Sequence, residues 1–407
     1  MKIVFIQPKT IFGNTWEALN IGYMAAYLKE QGYSDTHFFS GFFDLDEMII
    51  EECKDADIVG FSCTSPQMKH ALQLAEKIKN SKNWIVFGGV HPSVLPQDTL
   101  DNKCVDAVVV GEGESAMLKI VQGDRSRIVQ SPYIQDLDEL PFPDRLLIKQ
   151  ERNIQQAYRD NNLRIASIFS SRGCPFNCAF CASHCVWTRR VRFRSVNNVL
   201  DEFTQVVKDL NIDFIKFSDD TFGLQKDWLI NFCQEKIKRN LNAPFGCNIR
   251  VNTADREILE WLKKAGCKEL WAGVESGSPK ILEEMNKGID IEQVKWFFAI
   301  TKEMGFFRRA YILLGMPNET KNDIKMTEDL IDKIEPDMVG FTILAPYPGT
   351  SFYDPVRHKN ADWSLVDEYG NNLVEGKYLT NVELVAEQKR LVKKYKDIIT
   401  YRQKNIS

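Results

Sequence analysis

Short apolar runs ending in glycine, serine or threonine, each followed by a segment of helical periodicity, recur in two series along this 407-residue chain. A continuous apolar run has no wet face, so as a strand it must be covered on both sides. Strands separated by helices pair in parallel. The first series reads "KIVFIQP", "THFFS", "ADIVGFSCTS", "WIVFGGVHP" and "VDAVVVGEGE", with helical segments such as "ALNIGYMAAYLKEQG" and "QMKHALQLAEKIKN" between. It predicts an α/β fold with a doubly wound, Rossmann-like sheet over residues 1–125. Its small strand-end residues suit a ligand at the sheet's carboxyl edge.

The prolines and acidic residues of "SPYIQDLDELPFPDRLLI" read as an extended connector, assigned to 126–160. The second series then runs "RIASIFSSRGC", "DFIKFSDDTFG", "PFGCNIRVNT", "KELWAGVESGS", "RRAYILLGMPNET" and "DMVGFTILAPYPGT". Six such strands with crossover helices predict a complete or partial (β/α) barrel over 161–350, with active residues at the strands' carboxyl ends. Residues 351–407 read as a small helical C-terminal part. A net charge of −4 gives no global field for nucleic acid or an anionic membrane. No run approaches the roughly 18 apolar residues of a membrane span, and the start reads as a strand, so the expected location is the cytoplasm.

Four of the ten cysteines fall within "SSRGCPFNCAFCASHC". In a reducing compartment such clustering favours metal ligation over disulfides. Cys174, Cys178 and Cys181 have the spacing CxxxCxxC just after a predicted strand, so their thiolates can converge on one iron–sulfur cluster. Three ligands leave one iron of a [4Fe–4S] cluster open. Structural zinc is the competitor, but it takes four ligands and more often shows paired CxxC motifs. The spacing of Cys185 fits no cluster pattern, so it is expected not to ligate. The other six cysteines are scattered and read as core filling.

CxxxCxxC with Phe180 before the third cysteine resembles the radical S-adenosylmethionine (SAM) superfamily. "FSDDTF", "GVESGS" followed by "MNKG", "LLGMPNET" and "APYPGT" are similar to family segments in the expected order. The resemblance implies SAM chelated to the open iron and an electron donor such as a flavodoxin or ferredoxin. It places Phe180 against adenine, Ser218 and Asp219 near the methionyl group, Arg250 on the carboxylate and Glu275 on the ribose. The residues alone allow other roles: Asp219 and Asp220 as helix caps, Arg250 and Glu275 as a salt bridge between strands.

The first series holds neither GxGxxG nor GxxxxGK[ST]. Through "VGFSCTS", "FGGVHPSVLP", "VVVGEGE" and "LDELPFPDR" it resembles the cobalamin-binding domain that precedes many radical SAM domains. Under that resemblance Ser62 and Thr64 contact the nucleotide tail. Gly88 and Gly89 let it pass, Gly111, Glu112 and Gly113 line the same crevice, and His91 shapes a loop without binding cobalt. "DTHFFSG" departs from the DxHxxG of histidine-ligated relatives.

The two resemblances together imply a C-methyltransferase. A 5′-deoxyadenosyl radical takes hydrogen from an unactivated sp³ carbon, methylcobalamin delivers the methyl group, and two SAM are consumed. The substrate class extends to a peptide or protein side chain, with the glutamine of methyl-coenzyme M reductase as the specific expectation. Two enzymatic alternatives stay open: a cobalamin-dependent ring-forming or rearranging enzyme, and a tRNA methylthiotransferase with a second cluster on Cys53, Cys63 and Cys104. A non-enzymatic cobalamin or redox sensor is the third.

Overall fold

The computed structural model describes residues 1–13, 16–374 and 376–399, so residues 400–407 of the expected C-terminal part lie outside the description. The chain divides into two compact units. The first comprises 1–156, 182–192 and 347–366; the second comprises 157–181, 193–346 and 367–407.

The first unit is built on six parallel strands: β1 (Ile3–Gln7), β2 (Thr36–Ser40), β3 (Ile58–Ser62), β4 (Trp84–Gly88), β5 (Ala107–Val110) and β6 (Ile128–Gln130). Their order is β2-β1-β3-β4-β5-β6. The chain reverses direction across the sheet at β1, which opens a crevice at the carboxyl ends of β1 and β3. β1 is buried at all five residues, as its unbroken apolar sequence requires. Cys53, Cys63 and Cys104 lie in the apolar core beside this sheet, with Val59, Phe61 and Phe87. β6 escapes sequence reading, since it is three residues long and its Ile128 is exposed.

Two segments remote in sequence complete this unit. Arg192 forms a two-pronged ion pair with Glu112, at 2.8 and 2.9 Å. The ring of Trp363 meets His91, Tyr347, Tyr353 and His358 at centroid distances of 6.1 to 6.5 Å. Lys69 pairs with Asp362 at 2.7 Å.

The second unit is also a six-stranded parallel sheet: β7 (Ile165–Ile168), β8 (Phe214–Phe217), β9 (Phe245–Ile249), β10 (Cys267–Glu275), β11 (Phe307–Leu314) and β12 (Met338–Ile343). The strands lie in chain order, β12-β11-β10-β9-β8-β7, so each crossover joins neighbours and the barrel is partial. Several covering helices start at side-chain caps that close orphan backbone N–H groups: Ser195, Asp255, Asp290 and Thr320. Phe217, Phe222, Trp228, Phe232 and Phe245 stack into an aromatic core. Among the described residues of 351–380 the chain is turns, bends and irregular backbone with one short helical turn, Trp363–Leu365. The helix Asn381–Lys394 follows, and its Gln388 amide donates to the Phe341 carbonyl of edge strand β12. Among the described residues no helix is long and apolar enough to cross a membrane.

Candidate active site

The loop after β7 carries Cys174, Cys178 and Cys181, none of them in a disulfide and all partly accessible. Gly173 turns the chain at φ 101°, a conformation that favours glycine. Backbone and side-chain bonds from a distant turn pin the loop. The Ala179 N–H donates to the Met285 carbonyl at 2.8 Å, and the Asn286 amide donates to the Asn177 carbonyl at 2.8 Å. The Arg250 guanidinium covers the Phe176 ring at 3.9 Å, and its Nη1 lies 3.5 Å from the Cys178 sulfur. Burial pushes the Cys174 thiol up, so its thiolate needs a cation such as iron beside it.

Three thiols on one braced loop, with an arginine against the middle one, fit a [4Fe–4S] cluster, in which each thiolate would bind a different iron.

The expected SAM residues gather at the carboxyl ends of β7 to β10. The Ser218 N–H donates to the Ile168 carbonyl. Asp219 is fully buried and caps no helix. Its carboxylate accepts from the Ser170 hydroxyl at 2.8 Å, the Ser171 hydroxyl at 2.5 Å and the Ser170 N–H. Burial nonetheless raises its pKa. Nor do Arg250 and Glu275 pair with each other. Arg250 donates through Nε to Asn252, while Glu275 pairs with Lys287 at 2.6 Å. Lys287 also lies 5.6 Å from the centroid of the Phe180 ring. Sequence reading singled out "MNKG" but gave Asn286 and Lys287 no role, because neither residue type at that position carries a signal of its own.

In the first unit, Ser62 Oγ accepts from Asn20 at 2.7 Å and Thr64 caps a short turn with Gln67. An added Cβ at Gly88 would stand in ordinary contact with Val109, 3.6 Å away, so the position does not itself require glycine. Gly89 differs: at φ 97° its Cβ would stand 2.6 Å from the Cys63 carbonyl oxygen, so glycine is needed for the chain to pass β3. Gly111, at φ 83°, lies near Tyr133, and Gly113 lies against Met24. The His91 ring is buried, hydrogen-bonded through Nδ1 to Ser65 at 2.9 Å, and burial lowers its pKa to about 4. Glu112 is spent on Arg192 and on the Ile134 N–H at 2.9 Å. Small residues at the ends of β3, β4 and β5, without an unscreened charge, fit the amide-fringed corrin and tail of cobalamin.

Comparison with known proteins agrees. The profile of the Radical SAM superfamily matches residues 168–331, and that of the B12 binding domain matches residues 10–121. An uncharacterized methyltransferase of Pyrococcus horikoshii is 30% identical over 388 residues, covering 87% of this chain and 83% of that protein. The chain belongs to the cobalamin-dependent radical SAM family. Its cofactors are a [4Fe–4S] cluster, SAM and cobalamin, and as a radical SAM enzyme it needs an electron donor. A second relative is the anaerobic magnesium-protoporphyrin IX monomethyl ester cyclase of Rubrivivax gelatinosus. It is 31% identical, with 88% of this chain and 70% of that protein covered. The fold resembles that of the radical SAM methyltransferase TsrM from Kitasatospora setae at TM-score 0.73. Identity there is 16%, with 88% of this chain and 76% of TsrM covered. It also resembles the cobalamin-dependent radical enzyme OxsB at TM-score 0.69 and 19% identity, covering 98% of this chain and 62% of OxsB.

Proposed function

We propose that this enzyme transfers a methyl group to a carbon without a lone pair. The carrying observation is one chain that joins a partial barrel with a three-cysteine loop to a doubly wound sheet with small strand ends, in a family whose relatives include named methyltransferases. Bound cluster and SAM supply hydrogen-atom abstraction, and cobalamin supplies the methyl group. The chain's own part is placement. Cys174, Cys178 and Cys181 donate three thiolates and leave one iron open to SAM. Arg250 sets a positive charge beside Cys178, and Glu275 and Phe180 face SAM. Ser62, Thr64, Gly88, Gly89, Gly111 and Gly113 border the cobalamin crevice, while His91 stays neutral and away from cobalt. A small flavodoxin or ferredoxin is the electron donor.

Several relatives are named for small molecules, among them the bacteriochlorophyllide d methyltransferase of Chlorobaculum tepidum. This favours a small metabolite over a protein glutamine as substrate. A second reading, ring formation, is supported by the 31% identity to the cyclase. The methylthiotransferase reading is disfavoured, because Cys53, Cys63 and Cys104 fill the apolar core. SAM deuterated in its methyl group separates these readings. Methyl transfer puts the label in the product and yields 5′-deoxyadenosine and S-adenosylhomocysteine in similar amounts. Product without label refutes methyl transfer and supports ring formation. A labelled protein side chain, read by intact-mass comparison of cell proteins, restores the glutamine reading.

A further inference from the structure

We propose that Lys287 is a positioning residue that fixes one oxygen of the Glu275 carboxylate to the cysteine loop and leaves the other for SAM. The proposal rests on the placement of cluster and SAM at this loop.

Glu275 ends β10 at φ 64°, left-handed backbone that a non-glycine residue adopts only when its surroundings impose it. The register of β10 against β11 slips between Gly273 and Glu275, a bulge that re-aims the side chain. Gly273 clears the space: a Cβ there would stand 2.3 Å from Glu275 Oε1 and 2.6 Å from Lys287 Nζ. A strained glutamate, a bulge and a cleared glycine thus converge on one ion pair. As a stabiliser of the fold, a largely buried ion pair is a poor device compared with apolar packing. As an aiming device it suits the site. Lys287 donates to Oε1 at 2.6 Å, and among the described residues Oε2 receives no protein hydrogen bond.

The turn around Lys287 ties the pair to the cysteine loop. Its neighbours Met285 and Asn286 hold Ala179 and Asn177, and its own ammonium faces Phe180, next to Cys181. On the far side, the Asn252 side-chain amide donates through Nδ2 to the Gly288 carbonyl at 2.8 Å, and its Oδ1 accepts from Arg250 Nε. One short turn therefore connects Glu275, Phe180 and Arg250.

The test is Lys287→Met in the full chain, reconstituted anaerobically, with iron and sulfide content and SAM equilibrium dialysis as readouts. Expected are parental iron and sulfide and a SAM Kd weakened about tenfold or more, the loss typical of a charge-assisted hydrogen bond. Lys287→Arg keeps the charge and should bind SAM more tightly than Lys287→Met. Gly273→Ala keeps the lysine but fills the cleared space, so it should weaken SAM in the same way even where Lys287→Met folds poorly. Parental SAM affinity in both Lys287→Met and Gly273→Ala overturns the proposal. Loss of iron in Lys287→Met at parental SAM affinity overturns it too, by assigning the residue to cluster assembly. Cys178→Ala tests the underlying placement separately: full iron there refutes the cluster assignment, whatever Lys287 does.

Discussion

Glu112 stands in the strand-end run "VVVGEGE", yet its carboxylate is engaged with Arg192 and the Ile134 N–H. Among the described residues, Glu112→Ala would leave the buried Arg192 guanidinium with the Ile134 carbonyl and the Tyr133 ring face beside it. Both side chains are under a tenth exposed, so solvent screens little of the loss. Breaking a buried pair from one side costs about 3–5 kcal/mol. At about 2–4 °C per kcal/mol for a unit of this size, the first unit should melt some 6–20 °C lower. Replacing both partners, as in Glu112→Leu with Arg192→Met, should recover much of that, because no unpaired charge remains buried. The assay is a thermal melt of the cobalamin-free chain, followed by circular dichroism and by amide exchange of residues 107–137. A parental melting temperature in the single variant, with only cobalamin affinity reduced, would refute this reasoning and make Glu112 a cofactor contact.

Three further outcomes are expected. Gly89→Ala should destabilise the first unit by about 2 kcal/mol or more and abolish cobalamin binding, because the methyl group meets the Cys63 backbone at a positive φ; soluble protein binding cobalamin normally would contradict this. Burial holds His91 near 4 against an ordinary 6.5. The unfolded chain therefore takes up the proton first as pH falls. The folded state keeps its full stability above about pH 6.5 and loses about 3 kcal/mol by pH 4. His91→Gln should flatten that part of the denaturation profile, and an unchanged profile would show that His91 is not its source. Changing Cys174, Cys178 and Cys181 to Ala should remove the broad sulfur-to-iron absorbance of the reconstituted protein, whereas Cys185→Ala should keep it; absorbance lost with Cys185 would place a fourth ligand.

The elements legible in the sequence were those whose signal is local. Five of the first unit's strands and all six of the second are apolar runs closed by helix caps or small residues, and within each sheet the common carboxyl edge is a consequence of parallel pairing. The cysteine loop was legible because its chemistry depends on spacing within eight residues. What escaped depends on partners far along the chain. Asp219 turns back to Ser170 and Ser171, 49 and 48 positions earlier, instead of capping the next helix. Glu275 takes Lys287 instead of Arg250, because a bulge and a left-handed φ re-aim it. Glu112 is claimed by an arginine 80 residues on. No propensity or period encodes such choices; packing decides them.

The first unit is stitched from three stretches of chain, the last ending at residue 366. The ion pair between Lys69 and Asp362 closes a span of 293 residues. A ribosome releasing this protein therefore exposes a nearly complete sheet that waits for its last strip until residues 347–366 have emerged. Such late, long-range closure is slow and leaves apolar surface uncovered meanwhile. Cutting the chain after the first sheet would yield an unfinished body, not a freestanding cobalamin carrier. Nascent chains halted before residue 347 should stay protease-sensitive around His91, and protection should arrive as one step once Trp363 clears the exit tunnel.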